Sequence, residues 1–436
     1  MPEELAITLS PERLDEGSPE ERACFGLLTI RADGVNLTEG FDSWINGYRP
    51  GPLVSGYHAA EWLAWNWWRL RWEPQSSSPT WWRAHKMVSI GEGYIWPNLT
   101  IFSDGLRTAL ISRPSSRPNA RPFRYVGTDP CILASSRLEA AIDAFVPQVL
   151  ARLRDSGISE TNLDRVWEDL LAERANPGVA LRRRLEALLG ADPDEATPET
   201  IEQLVRDADV LGKNSISELA ADIPSGGVVW GADALREVAR SRGFDGFQDI
   251  SGLAPGTLPQ AGANSPAWLL GARVAKTLRA QLGLGATPIS NKKLADLASV
   301  SERALLADVR DPDLSFVLDD EQSGCRLVLR PKRLPGRRFD LARLLGDRLM
   351  NPGSEKLFLA TRSRTFRQKA QRSFAAELLA PFEEVSVLLK GDYSEENRED
   401  VAAHFQVSER TIHTLLVNHR RIERDDLEDP LEAAAT

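Results

Sequence analysis

Arg343, Leu344 and Asp347 sit at positions i, i+1 and i+4 of the stretch Arg338 to Met350. On a helix, that spacing brings the first and last side chains to one face. Filled with histidine, glutamate and histidine, it holds zinc through two imidazoles and leaves the carboxylate to activate a water. Arginine keeps its proton and offers only donors, and leucine accepts no proton from water. What Arg343 and Asp347 have instead is the type and spacing of an ion pair across one helical turn. Two unrelated surface charges are the plainer alternative. The five histidines are His58, His85, His404, His413 and His419, and no two are four apart. His413 and His419, six apart, fall on different helix faces. The expectation is no metal and no cofactor, with a zinc site of unconventional ligands as the alternative.

Two neighbouring segments extend this pattern. Phe339 and Ala342 match the Phe-x-x-Ala that precedes the first histidine in a zinc-peptidase helix, and Gln368-Lys-Ala-Gln-Arg-Ser-Phe374-Ala-Ala-Glu-Leu-Leu-Ala-Pro381 follows some thirty residues later. The latter resembles the Glu-x-x-Ala-Asn-x-Phe-Ala-Ala-x-Leu-Leu-Met-Pro helix of the ImmA/IrrE family of zinc peptidases. That family's third zinc ligand lies six residues before the phenylalanine, which is Gln368 here, a neutral amide. Val401 to His413, with its Phe405-Gln-Val-Ser408 step, resembles the family's closing helical segment. A long helix, Leu-Gly-Leu and a short helix over Asn264–Ala298 resemble its entry. The resemblance spans about residues 266–422 and is most specific at Phe374–Pro381 and Phe405–Ser408. It implies a mostly helical zincin-like domain with a small sheet. Relatives cleave or partner repressors in stress response, toxin–antitoxin pairs, mobile elements and phage defence. With Arg343, Leu344, Asp347 and Gln368 at the altered positions, it implies a protein that grips a regulatory protein partner in its cleft without cutting it. An active metallopeptidase with unconventional ligands is the second alternative.

A DNA-binding regulator is the first alternative. The chain carries a net charge of −10, yet Arg326 to Arg372 holds fourteen Lys and Arg against Asp340, Asp347 and Glu355, a local surplus of +11. Such a block, Arg337 and Arg338 included, suits an anionic partner, or else a loop neutralised by acidic neighbours. Glu399 to Ile422 also reads as a helix-turn-helix: a first helix ending near Phe405, a turn at Gln406-Val-Ser, and a second helix capped by Ser408. Its Arg410, His413, Asn418, His419, Arg420 and Arg421 have the chemistry to meet phosphates or bases. The same geometry serves internal packing.

Nine of the twelve tryptophans fall between Trp44 and Trp96, interleaved with Arg49, Arg69, Arg71, Arg83, His85 and Lys86. Trp67, Trp68, Trp81 and Trp82 are candidates for a partner surface that stacks on bases or grips a protein. The alternative is a tryptophan-rich core with arginines snorkelling from it.

The elements that must position these groups alternate in character along the chain. Residues 1–20 read as a flexible N-terminus and 21–130 as a Trp-rich α+β module. Within it, Ala32-Asp-Gly34 and Ser103-Asp-Gly105 mark hairpin turns, and Ala59 to Trp72 shows helical spacing at 62, 65, 68 and 72. Residues 131–225 read as helical, with Ser159 and Thr197 as caps. Residues 226–422 read as the ImmA/IrrE-like domain, entered by a helix capped at Asn264, followed by another helix from Ser290 and by strands near 315–318 and 325–330. Residues 423–436 are an acidic tail. The fold class is therefore α+β and multidomain. The start of the chain shows no secretory signal, no apolar run nears bilayer length, and three scattered cysteines suit a reducing cytoplasm. Oligomeric state is left open.

Overall fold

The computed structural model describes residues 5–76, 80–115, 122–127, 130–247, 265–307, 313–320, 324–351, 353 and 355–423. The expected cap at Asn264 and all but the first residue of the acidic tail lie outside them. The chain is mixed α and β, with small antiparallel sheets. It divides into two compact units: residues 1–206 with 220–229 and 363–366, and residues 207–219 with 230–362 and 367–436.

In the first unit, Leu5–Pro11 pairs antiparallel with Phe25–Ala32, which turns at Asp33-Gly34 onto Val35–Asn36. Both turn residues have positive φ (49° and 82°), the geometry that matches the twist of a two-residue hairpin. Leu99–Ser103, Arg107–Ser112 and Pro130–Ala134 form a three-stranded meander. Helices Ser135–Asp155, Asn162–Ala175 and Pro177–Leu188 follow. Thr161, not Ser159, starts the second of these, its N–H and hydroxyl both donating to Asp164 at 2.8 Å. The stretch expected as helix from Ala59 to Trp72 is two helices, Gly56–Trp65 and Trp67–Trp72. They break at Asn66, whose side-chain amide donates to the Trp62 carbonyl at 2.9 Å. The break rotates the apolar stripe, so Trp62 and Trp68 are buried while Trp65 is 55% exposed.

In the second unit, four short antiparallel strands run in the order Phe244–Asp245, Gly324–Val328, Ser315–Asp320, Leu357–Ala360. The helix Leu334–Met350 packs against the last two of these, and the helices Ala267–Gln281, Asn291–Leu297 and Arg303–Leu306 pack against it. Ser290 caps the second of these by accepting from the Lys293 N–H. From Asp340 to Asp347 every residue of the central helix is buried. A helix enclosed on all sides is normally apolar all round; this stretch carries three charges, Asp340, Arg343 and Asp347, so each needs an internal partner. Two glycines let its neighbours close in. A Cβ at Gly346 would lie 2.3 Å from the Phe374 ring, and one at Gly271 would lie 2.1 Å from the Ala370 carbonyl oxygen. Both contacts belong to the helix Phe366–Leu379. The unit also holds the helices Ala232–Arg242, Phe382–Leu389, Glu395–Phe405 and Glu409–Asn418, and the first residues of Lys213–Asp222.

Candidate functional site

Arg343 and Gln368 meet in the interior of the second unit. The Leu334–Met350 helix supplies Arg343 and the Phe366–Leu379 helix supplies Gln368, and Arg343 Nη2 donates to Gln368 Oε1 at 2.6 Å. The same nitrogen donates to the Thr361 carbonyl at 2.6 Å, and Nη1 reaches Asp340 Oδ1 at 3.3 Å. Gln368 is locked at both ends: its oxygen also accepts the Thr361 N–H at 2.9 Å, and its nitrogen donates to the Leu359 carbonyl at 3.1 Å. Asp340 in turn accepts from Ser315 Oγ at 2.7 Å, and that oxygen accepts the Arg330 N–H at 2.8 Å. Burial pulls the Arg343 pKa below its ordinary value, and the Asp340 carboxylate opposes that pull.

Arg343 and Asp347 do not pair with each other. Asp347 is taken by Arg367, which holds it with two bonds of 2.7 and 2.9 Å and reaches Glu355 at 3.0 Å. Burial works against the charge on Arg367, but Asp347, Glu218 and Glu355 more than offset it and raise its pKa. Glu355 also accepts from Ser215 Oγ at 2.7 Å and from the Asn214 N–H at 3.2 Å. The expected pair is thus replaced by two adjoining networks. A bidentate guanidinium–carboxylate fork outcompetes a single contact along one helix face. Leu344 is fully buried.

This arrangement does not suit a zinc ion. The guanidinium at position 343 cannot ligate, and its three polar neighbours, Asp340, the Thr361 carbonyl and Gln368, are acceptors already taken by its own N–H groups. Among the described residues, no three His, Cys, Asp or Glu side chains gather as a metal-binding group. Hydrolysis would need a base facing a water, and every carboxylate of the two networks is engaged by Ser, Arg or Asn donors. What the site can do is hold three helices and a sheet edge in one geometry. No family model, no curated protein and no solved structure matches this chain.

The basic block is turned largely inward. Of its fourteen cations only Lys332, Arg333, Arg362 and Arg364 are exposed. Arg337, 2% exposed, donates to the Ala304 carbonyl at 3.2 Å and to the Pro331 carbonyl at 3.2 Å. Arg338, fully buried, donates to the Ile289 carbonyl at 2.6 Å and to the Asn291 side chain. Neither side chain is open to solvent. These guanidiniums cap carbonyls that would otherwise be buried unpaired.

The helix pair near the C-terminus splits the expected contacts. Arg410, Arg420 and Arg421 are exposed, and His413 and Asn418 are half-buried. His419 stacks on Phe382 with ring centroids 3.5 Å apart and lies edge-on to Trp268 at 5.4 Å. Burial, with Lys276 and Arg421 nearby, lowers its pKa against the pull of Glu383. Ser408 takes the N-cap position, but its hydroxyl pairs with that of Thr411 rather than with a backbone N–H.

In the first unit, Trp67, Trp68 and Trp81 are interior residues and Trp82 is half-buried. Trp81 lies flat on His85 at 4.2 Å. His85 contacts the Ile101 carbonyl through Nδ1 at 2.7 Å and Glu73 through Nε2 at 2.9 Å, while Arg69 Nε donates to the same Glu73 oxygen at 2.7 Å. Burial would raise the Glu73 pKa, but His85 and Arg69 outweigh it and hold it low. His85 and Glu73 are both inaccessible, so this cluster braces the unit rather than meeting a substrate. Sequence spacing gives no sign of it, because Glu73 and His85 lie in different elements.

Proposed function

We propose that the second unit is an ImmA/IrrE-like domain whose peptidase chemistry has been replaced by a structural polar core, and that the protein acts by binding a regulatory protein partner in the cytoplasm. The observation that carries this reading is the Arg343–Gln368 bond. Positions 343 and 368, two zinc-ligand positions in the resemblance, lie side by side although they are 25 residues apart. Their side chains hold each other as ligands would hold a metal between them. The family settings of stress response, toxin–antitoxin pairs and phage defence are those in which such a partner, a repressor or its like, is found. No described helix is long and apolar enough to cross a membrane. The DNA-binding reading keeps the exposed Arg410, Arg420 and Arg421 and the exposed Lys332, Arg333, Arg362 and Arg364 of the basic block, while Arg337 and Arg338 are buried and His419 packs on Phe382.

The test is metal loading with and without the altered residues. Protein prepared without chelator or affinity-tag metal is expected to carry no stoichiometric zinc by plasma mass spectrometry. The variant Arg343→His/Leu344→Glu/Asp347→His/Gln368→Glu is expected to gain about one zinc per chain, because it restores a two-histidine, one-carboxylate set. One zinc per unaltered chain would overturn the reading. So would a variant that keeps its fold by circular dichroism and takes up none.

A further inference from the structure

A cavity of about 580 Å³ opens on the first unit, between the helices Gly56–Trp65, Trp67–Trp72, Asn162–Ala175 and Pro177–Leu188. That is the size of a site for a small ligand or a single long side chain. Its apolar lining includes Trp65, Trp68, Val166, Leu170, Val179 and Pro193. Three acids, Asp169, Glu173 and Asp194, line it against one cation, Arg183. Arg183 is already fully engaged: its three donor groups reach Glu173 at 2.6 Å, Glu186 at 2.8 Å and Asp194 at 2.8 Å. Asp169 is exposed and has no ion-pair or hydrogen-bond partner among the described residues. The cavity therefore keeps a surplus of negative charge beside an indole that is 55% exposed.

The same unit shows twice what completes such a pair. Arg71 lies 3.8 Å over the Trp72 ring and bonds Glu139. Arg174 lies 4.6 Å over the Trp67 ring and holds Asp143 with two bonds of 2.6 and 2.9 Å. In each case a guanidinium lies over an indole while its N–H groups bond a carboxylate, so cation–π attraction and charge-assisted bonds act together. Trp65 has the indole, and Asp169 supplies a carboxylate in the same cavity, but no cation lies on that ring among the described residues. We propose that this cavity takes an arginine side chain of a partner polypeptide, stacked on Trp65 and bonded at its edge by Asp169. The apolar walls take its three-carbon stem.

Calorimetric titration of the full chain tests this with three capped pentapeptides, Gly-Gly-X-Gly-Gly, where X is arginine, lysine or citrulline. Arginine is expected to bind, lysine more weakly, and citrulline, which keeps the shape but not the charge, roughly tenfold or more weaker than arginine. Trp65→Ala is expected to weaken the arginine peptide by roughly fivefold or more, and Asp169→Asn by roughly threefold or more. Trp65 and Asp169 are exposed, so unchanged melting curves are expected to accompany both losses. Citrulline binding as tightly as arginine would overturn the proposal. Equal overturning results are Trp65→Ala binding like the unaltered chain, or no arginine-peptide binding up to about 10 mM. Should Trp65→Ala fail to fold, the arginine–citrulline comparison on the unaltered chain decides alone.

Discussion

Removing the Arg343 guanidinium should cost the second unit a large part of its local stability, and the structure sets the size of the loss. Arg343→Met keeps the volume of the stem and deletes three polar contacts: to Asp340 at 3.3 Å, to the Thr361 carbonyl at 2.6 Å and to Gln368 at 2.6 Å. Gln368 keeps the Thr361 N–H, but Asp340 is left 3% exposed with Ser315 as its hydrogen-bond partner. A buried charge stripped of its counter-ion costs about 3–5 kcal/mol. Arg343 is itself costly to bury, as its lowered pKa records, so the lower end, about 3 kcal/mol, is expected. Adding Asp340→Asn removes the stranded charge while leaving a group for Ser315 to bond. The double variant should therefore recover about 1–3 kcal/mol relative to the sum of the single changes. Because two units need not unfold together, a single melting transition is a poor readout. Hydrogen exchange of the amides in Leu334–Met350 reports the opening of this helix directly. About 3 kcal/mol corresponds to exchange faster by roughly 100-fold. Exchange at the unaltered rate in Arg343→Met, or strict additivity in the double variant, would refute the claim that this pair anchors the core.

Three further outcomes follow from other contacts. Gly346→Ala drives a Cβ to within 2.3 Å of the Phe374 ring and is expected to destabilise the same helix by about 1–3 kcal/mol in hydrogen exchange, with partial rescue by Phe374→Leu. Burial pushes the Glu377 carboxyl up from 4.5 to about 7, against the pull of Lys276. Between those values the folded chain holds a proton that the unfolded chain releases, so this group's contribution is complete below about pH 4.5 and is lost as pH rises to about 7. Glu377→Gln should then stabilise the unit at pH 8, by on the order of 3 kcal/mol, and change little at pH 4.5; an equal effect at both would show that the carboxyl is not protonated by burial. Replacing Arg410, Arg420 and Arg421 together by glutamine is expected to leave any duplex retention unchanged, and a salt-dependent affinity that vanishes in this variant would favour the DNA-binding reading.

What was legible in the sequence was local. The Asp33-Gly34 hairpin, the helix following Ser290 and the helix across Arg338–Met350 each follow from residues within one turn of each other. The α+β character follows from the sum of such signals. The position of Gln368 beside Arg343 was implied only through the resemblance, since nothing in the spacing of residues 25 apart sets two helices against each other. Local signals failed where a closer competitor entered from outside the window. Asn66 broke the 62–65–68–72 stripe because its amide reached back to the Trp62 carbonyl. Arg367 captured Asp347 from another helix, and Arg343 turned back to Asp340, one residue nearer in the chain than Asp347.

The basic block makes the same point about charge. A surplus of +11 in a window of sequence reads as a surface because isolated charges are costly to bury. Guanidinium is the exception among cations: weakly hydrated, planar and carrying five donors, it can satisfy several buried carbonyls at once. Arg337, Arg338 and Arg343 do so, reaching the carbonyls of Ala304, Ile289 and Thr361. Eleven of the fourteen cations in the block are arginines. A block of lysines with the same net charge could not make these bonds, because an ammonium offers only three donors from a single point. Charge counts therefore predict a binding surface only after arginines and lysines are counted apart.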